Sequence, residues 1–179
     1  MKLKIGVVGT GWWATANHIP TVQASDNAEI VAICDLDPQR LAGVGERFGI
    51  SRRYANMVEM LALERLDGVM VATPHTSHAG VATQALQAGC HVLVEKPLAT
   101  TVADARAIVA AAQRAGRQVL VPCGWNFRDY TAQAARWIET GRIGEVRHVV
   151  CQMASALADL FAGEPMLETA DHANKGRFH

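Results

Sequence analysis

The sequence predicts an α/β fold, a doubly wound parallel sheet, and three observations predict it. Short, continuously apolar runs recur up to Cys123, as strands covered on both faces require. Segments with helical spacing of apolar residues lie between them, so strand and crossover helix alternate. The first run ends directly in a glycine turn, Gly9-Thr10-Gly11-Trp12-Trp13-Ala14, where the first helical segment begins.

The expected strands are 3–8, 29–34, 68–72, 91–95 and 118–123. Proline at position 20 interrupts the first helix, so a break or kink is expected there. Pro38 opens the second helix at a first-turn position that proline tolerates. The segment 77–88 reads as a helix ended by Gly89. Thr101 caps a further helix whose apolar positions Val102, Ala105, Ile108, Val109 and Ala112 share a face; Asp104 sits in its first turn and Gly116 ends it. After Cys123 the rhythm changes. Residues 129–140 read as a helix followed by Gly141, and 145–153 as a strand, while 154–179 shows no periodic element. The expected division is one α/β domain over 1–123 and the beginning of an incomplete, truncated α/β domain over 124–179.

Composition narrows the function classes. Half of the 179 residues are hydrophobic, and 17 basic side chains balance 17 acidic ones, for a net charge of zero. A neutral chain without a basic run is not expected to take nucleic acid as its main partner. No apolar stretch approaches the roughly 18 residues of a membrane span, and no small-residue cleavage site follows the N-terminal apolar run. A cytoplasmic protein is the expectation. The four cysteines, Cys34, Cys90, Cys123 and Cys151, form no C-x-x-C pair and lie in or beside apolar runs, so they are expected to be buried small hydrophobes.

The chemistry concentrates at the carboxyl ends of the expected strands. In the G-x-G-x-x-A turn, Gly9 permits a tight bend, Gly11 lets the backbone approach a pyrophosphate, and Ala14 lets helix pack on strand. The helix N-terminus adds N–H groups and partial positive charge for the phosphates. The alternative is a plain structural turn. Asp35, 26 residues after Gly9, follows the second strand and can accept hydrogen bonds from both adenosine ribose hydroxyls. That carboxylate would repel a 2′-phosphate, and Leu36 follows it, which favours NAD over NADP; Arg40 nearby keeps NADP in view. The alternative for Asp35 is a turn residue in Asp-Leu-Asp-Pro. Two more loops, Thr73-Pro74-His75-Thr76-Ser77-His78 and Glu95-Lys96-Pro97, leave the same edge and can face the same crevice. Lys96 can hydrogen-bond a substrate hydroxyl or the nicotinamide ribose; its alternative is a surface lysine. A zinc site from His75, His78, Cys90 and His91 is rejected, because the first two leave one strand's carboxyl end and the others enter the next strand's amino end. No metal is expected.

Those three signatures, in that order, resemble the Gfo/Idh/MocA oxidoreductases. Trp125-Asn126-Phe127-Arg128 and Gly141-Arg142-Ile143-Gly144-Glu145-Val146 are similar to the family's entry into its second domain. The resemblance covers about residues 3–152. It implies a Rossmann domain followed by an α/β domain that binds substrate and often forms an oligomer interface, so a homo-oligomer if that domain is complete. It also implies NAD(P)-dependent hydride transfer at a hydroxyl-bearing carbon of a sugar, cyclitol or related polyol. On the resemblance, Lys96 is the catalytic lysine that contacts substrate and cofactor, with Asn126 and Arg128 as further substrate contacts. The cofactor contacts are Gly9, Thr10, Gly11, Trp12, Trp13, Ala14, Asp35, Thr73, Pro74, His75, His78, Glu95, Lys96 and Pro97. A cis peptide is implied before Pro97. The family's proton-transferring histidine follows an aspartate by four residues on a helix of the second domain. Here the late candidates, Asp171 and His172, are adjacent and would point differently. The rival class is a non-catalytic nucleotide-binding sensor or scaffold, which turnover of a sugar or polyol would exclude.

Overall fold

The apolar runs become strands β1 (Leu3–Val8), β2 (Ala28–Cys34), β4 (Gly68–Val71), β5 (His91–Val94) and β6 (Val119–Leu120) in a computed structural model that describes residues 1–152. A sixth strand, β3 (Arg52–Tyr54), was not expected. Arg52 and Arg53 are charged and exposed and Tyr54 is half-buried, as suits a strand at the edge of the sheet, so it lacks the apolar signature. All neighbours pair in parallel, in the order β3-β2-β1-β4-β5-β6. That is the doubly wound arrangement expected.

Alternating side chains divide the core between the two sheet faces. Val7, Ile33, Ala14, Ile19, Leu41, Val44 and Ile50 pack together on one. Val8, Ala32, Cys34, Val69, Val71, Val92 and Val94 join Met57, Met60, Leu86 and Ile108 on the other. The helices are α1 (Ile19–Gln23), α2 (Pro38–Arg47), α3 (Met57–Leu63), α4 (His78–Gln87) and α5 (Val102–Ala115). Their ends follow local chemistry. The Asp37 carboxylate accepts from the Gln39 and Arg40 N–H groups ahead of Pro38, and these bonds hold its pKa below the usual value. Thr101 accepts from the Asp104 N–H, and Gly116 closes α5 in the left-handed region at φ 61°. The break expected at Pro20 takes the form of a π-type turn, Ala14–His18, that passes into α1. Pro20 has no N–H to give, and the Ile19 N–H reaches back five residues to the Ala14 carbonyl.

The described residues fall into two units, Met1–Pro122 and a second that begins at Cys123. The second contains a short turn (Gly124–Phe127) and α6 (Asp129–Glu139), where none of the side chains is buried. The strand expected over 145–153 is not formed in its described residues 145–152, which are exposed and without regular structure; residue 153 lies outside the described residues. A strand needs a neighbour to take its N–H and C=O groups, and no described residue pairs with it. The last strand of the sheet is also shorter than 118–123, since only Val119 and Leu120 find partners on β5. Cys34 and Cys90 are buried as expected, whereas Cys123 and Cys151 are exposed because neither lies in a strand or under a helix. Residues 154–179, with Asp171 and His172, lie outside the described residues.

Candidate functional site

Strand order reverses between β1 and β4, whose chain neighbours run off to opposite sides of the sheet. Ligands of open parallel sheets bind outside the carboxyl ends at such a point. Gly9 lies there at φ 89°, and a Cβ on it would come within 2.5 Å of the Ala72 carbonyl oxygen. Its N–H donates to the Cys34 carbonyl at 2.8 Å, tying the loop to β2. Glycine at this position is therefore required by the chain itself. Gly11 is different: a Cβ there would meet no heavy atom within 4 Å. Its bare backbone faces open space, which suits a group that must approach closely. Ala14 is fully buried at the helix–sheet contact.

Asp35 follows β2 and is 8% exposed. Its Oδ2 accepts from the Thr10 N–H at 2.7 Å and the Thr10 hydroxyl at 2.8 Å, while Oδ1 accepts from the Asp37 N–H at 2.9 Å. The Asp37 N–H bond is the contact that the turn-residue reading expects, and the Thr10 bonds add to it. The Arg40 guanidinium is farther, at 3.3 and 3.4 Å, and also reaches the Asp37 carboxylate at 3.2 Å. Arg40 is already neutralised by two acids. Leu36 beside it is 90% exposed. Burial, helped by the adjacent Asp35 charge, pushes the Cys34 thiol from 9.0 up to about 11, so it is inert near neutrality.

Glu95 follows β5 and is likewise 8% exposed. Its Oε1 accepts from the Trp13 indole N–H at 2.7 Å and lies 2.8 Å from His18 Nε2; its Oε2 accepts from the Lys96 N–H at 3.1 Å. The carboxylate is turned into the protein. The neighbouring Lys96 side chain is exposed, and no ion pair or hydrogen bond holds its ammonium among the described residues. The Lys96–Pro97 bond is cis. His78 is fully buried and bridges the two remaining loops, with Nδ1 2.8 Å from the Pro97 carbonyl and Nε2 2.9 Å from the Thr73 carbonyl. Thr73 is further tied through its hydroxyl to Ser77 at 2.8 Å, while Pro74 and His75 are exposed.

Trp12 and Trp13 meet edge to face, with ring centroids 5.5 Å apart. The structure therefore gathers the glycine turn, Asp35, the Thr73–His78 loop and Glu95-Lys96-Pro97 on one edge of the sheet. Asn126 and Arg128 belong to the second unit, one in the short turn and the other capping α6, both exposed. His18 was missed. It stands four residues after Ala14 on the same buried helical face, and a histidine there demands a polar partner. That signal was readable, but its partner 77 residues away was not.

The sheet order and the glycine turn now have an independent counterpart. A model of the Gfo/Idh/MocA oxidoreductase family, NAD-binding Rossmann fold, matches residues 3–122. The chain belongs to this family. Among relatives of this Gfo/Idh/MocA chain, D-apiose dehydrogenase of Paraburkholderia graminis is 38% identical over 93% of the chain and 44% of the relative. Inositol 2-dehydrogenase 1 of Saccharopolyspora erythraea is 34% identical over 96% of the chain and 52% of the relative. The WlbA dehydrogenase of Bordetella pertussis, solved in complex with NADH and UDP-GlcNAcA, superposes with a TM-score of 0.75 at 34% identity, over 80% of this chain and 44% of that one. The chain spans about half the length of the curated relatives it matches.

Proposed function

We propose that this chain binds a nicotinamide dinucleotide, NAD in preference to NADP, at the carboxyl edge of its sheet. It would do so as the nucleotide-binding part, residues 1–123, of a dehydrogenase acting on a hydroxyl-bearing carbon of a sugar, cyclitol or related polyol. From residue 124 on, the chain would enter the substrate domain, with Asn126 and Arg128 there as substrate contacts. When bound, the nicotinamide supplies the atom that gives or takes the hydride. The observation that carries the reading is Gly11: the protein has no steric need of glycine there, yet leaves its backbone bare beside the start of a helix.

The residues divide the work by position. Backbone groups from Gly9 to Ala14 would take the pyrophosphate. Asp35 has four lone-pair sites and three short internal donors, so the site served only loosely by Arg40 is the one a ribose hydroxyl would occupy. A 2′-phosphate would meet the same carboxylate and an arginine already paired. The nicotinamide end would lie against the Thr73–His78 loop and Lys96, whose exposed ammonium, unpaired among the described residues, can hold a substrate oxygen. Support for the substrate class comes from the relatives, which are dehydrogenases of D-apiose and inositol.

The experiment is a thermal-shift and fluorescence titration of the chain and of Gly11→Ala with NADH and NADPH. NADH at about 100 times its Kd should stabilise the wild type by about 2.7 kcal/mol. Gly11→Ala should leave the ligand-free Tm unchanged within about 2 °C and weaken NADH at least about tenfold. No stabilisation of the wild type by either nucleotide at millimolar concentration would sink the proposal.

A further inference from the structure

We propose that His18 is a positioning residue for the dinucleotide site, acting through Glu95. The inference rests on the nucleotide-binding reading above and assigns a role to a residue outside its motifs. Three groups meet at one buried carboxylate, that of Glu95: the Trp13 indole from the glycine turn, the His18 imidazole from the π-type turn, and the main-chain N–H of Lys96.

The geometry fixes what each contact does. Trp13 and His18 share Oε1 of Glu95, at 2.7 and 2.8 Å, so the carboxylate cannot rotate without losing both donors. Its other oxygen then stays on the Lys96 N–H, which holds the main chain that carries the lysine. Trp13 gains as well. Its polar edge is pinned inward while 42% of the residue stays exposed, so a rigid aromatic face borders the turn that contains Gly11. Without His18, Oε1 would lose half its donors inside the protein, and water or rotation would compensate. The two loops on either side of the switch point would then no longer be held in one arrangement. The π-type turn is what brings His18 to this place, since the five-residue step before Pro20 sets the register of the helix.

The test uses the 179-residue chain with NADH as probe and compares His18→Leu, His18→Asn and His18→Gln. Glutamine places an N–H near the position of Nε2, leucine offers none, and asparagine stops short. Two readings are taken: the NADH Kd by fluorescence titration, and the exchange rate of the Trp13 indole proton, assigned by its loss in Trp13→Phe. His18→Leu is expected to raise the Kd about tenfold, the worth of one hydrogen bond to a charged group, and to speed indole exchange. His18→Gln should restore both readings to near the wild-type values, and His18→Asn should not. If His18→Leu fails to fold, the contrast between asparagine and glutamine decides the point. Wild-type affinity in His18→Leu or in His18→Asn, or equal losses in the glutamine and asparagine variants, overturns the positioning role while leaving the cofactor site intact. Failure of the wild type to bind NADH removes the cofactor reading instead.

Discussion

Two carboxylates flank the switch point, and they are held in opposite ways. Asp35 and Glu95 each follow a strand of the same sheet and each is 8% exposed. Asp35 is satisfied by the glycine turn and by its own next turn, through two main-chain N–H groups, a hydroxyl and a loose arginine. Glu95 is satisfied by two ring N–H donors that lie 82 and 77 residues earlier in the chain. One has a site to spare, the other is a longer-range knot with both oxygens committed. The first is suited to meeting a ligand and the second to holding loops in place.

The largest effect should come from the residue on which both sides depend. Gly9→Ala adds a Cβ 2.5 Å from the Ala72 carbonyl at a backbone φ of 89°. Strain and overlap together should cost about 4 kcal/mol, lower the Tm by roughly 8–16 °C and abolish nucleotide binding. A Tm within 2 °C of wild type, read by calorimetry, would contradict the geometry. Next, Glu95→Ala and Asp35→Ala should each cost about 3 kcal/mol, because each strands two donors, the Trp13 indole and His18 imidazole in the first and the buried N–H and hydroxyl of Thr10 in the second. The Asp37 N–H and Arg40 can turn to water when Asp35 is lost. A loss below about 1 kcal/mol in urea unfolding, for either variant, would show that its stranded donors reach water.

A sharper form of the comparison concerns specificity. Asp35→Ser removes the charge that opposes a 2′-phosphate, keeps an acceptor for Thr10, and leaves Arg40 with only Asp37 as partner. The NADPH-to-NADH ratio of Kd values should fall about tenfold or more, the equivalent of one charge contact. No comparable change is expected from any substitution at Glu95, whose carboxylate faces inward. A specificity shift at Glu95 would show that its donors yield to the cofactor.

What was legible in the sequence follows the same division. The caps at Asp37, Thr101 and Gly116, and the helices they bound, depend on residues within one turn of each other, and the turn after β1 is legible from its own glycine spacing. Asp35 was found because its place after an apolar run carries the information. β3 was missed since an edge strand of Arg52, Arg53 and Tyr54 has no apolar signature, its arginine and tyrosine serving the buried Glu64 instead. The 145–153 reading failed for the converse reason: an apolar run supplies a propensity, but a strand also needs a partner, which spacing alone cannot reveal. The Trp13–His18–Glu95 cluster required knowing the sheet order first, because only that order brings residue 95 to the end of the first helix.

The smallest expected effect is an alkaline one, and its part that depends on a carboxylate lies on the Asp35 side, while burial raises the Cys90 thiol in the same direction. Cys34 is pushed from 9.0 to about 11, first by burial and then by the Asp35 charge beside it. Between those pH values the unfolded chain releases the thiol proton while the folded chain keeps it. The unfolded state therefore binds fewer protons, and stability falls as pH rises from about 9 toward about 11. Below pH 9 the thiol contributes no slope. Urea unfolding at pH 8, 9 and 10 should show this decline in the wild type and a shallower one in Asp35→Asn, where the second cause is gone and the folded pKa moves back toward 9.0. Thiol labelling at pH 8 gives the structural control: Cys123 and Cys151 should react at once, and Cys34 and Cys90 only on unfolding. An alkaline slope unchanged by Asp35→Asn would mean that the carboxylate's charge is already spent on Thr10 and Arg40 and does not reach the thiol.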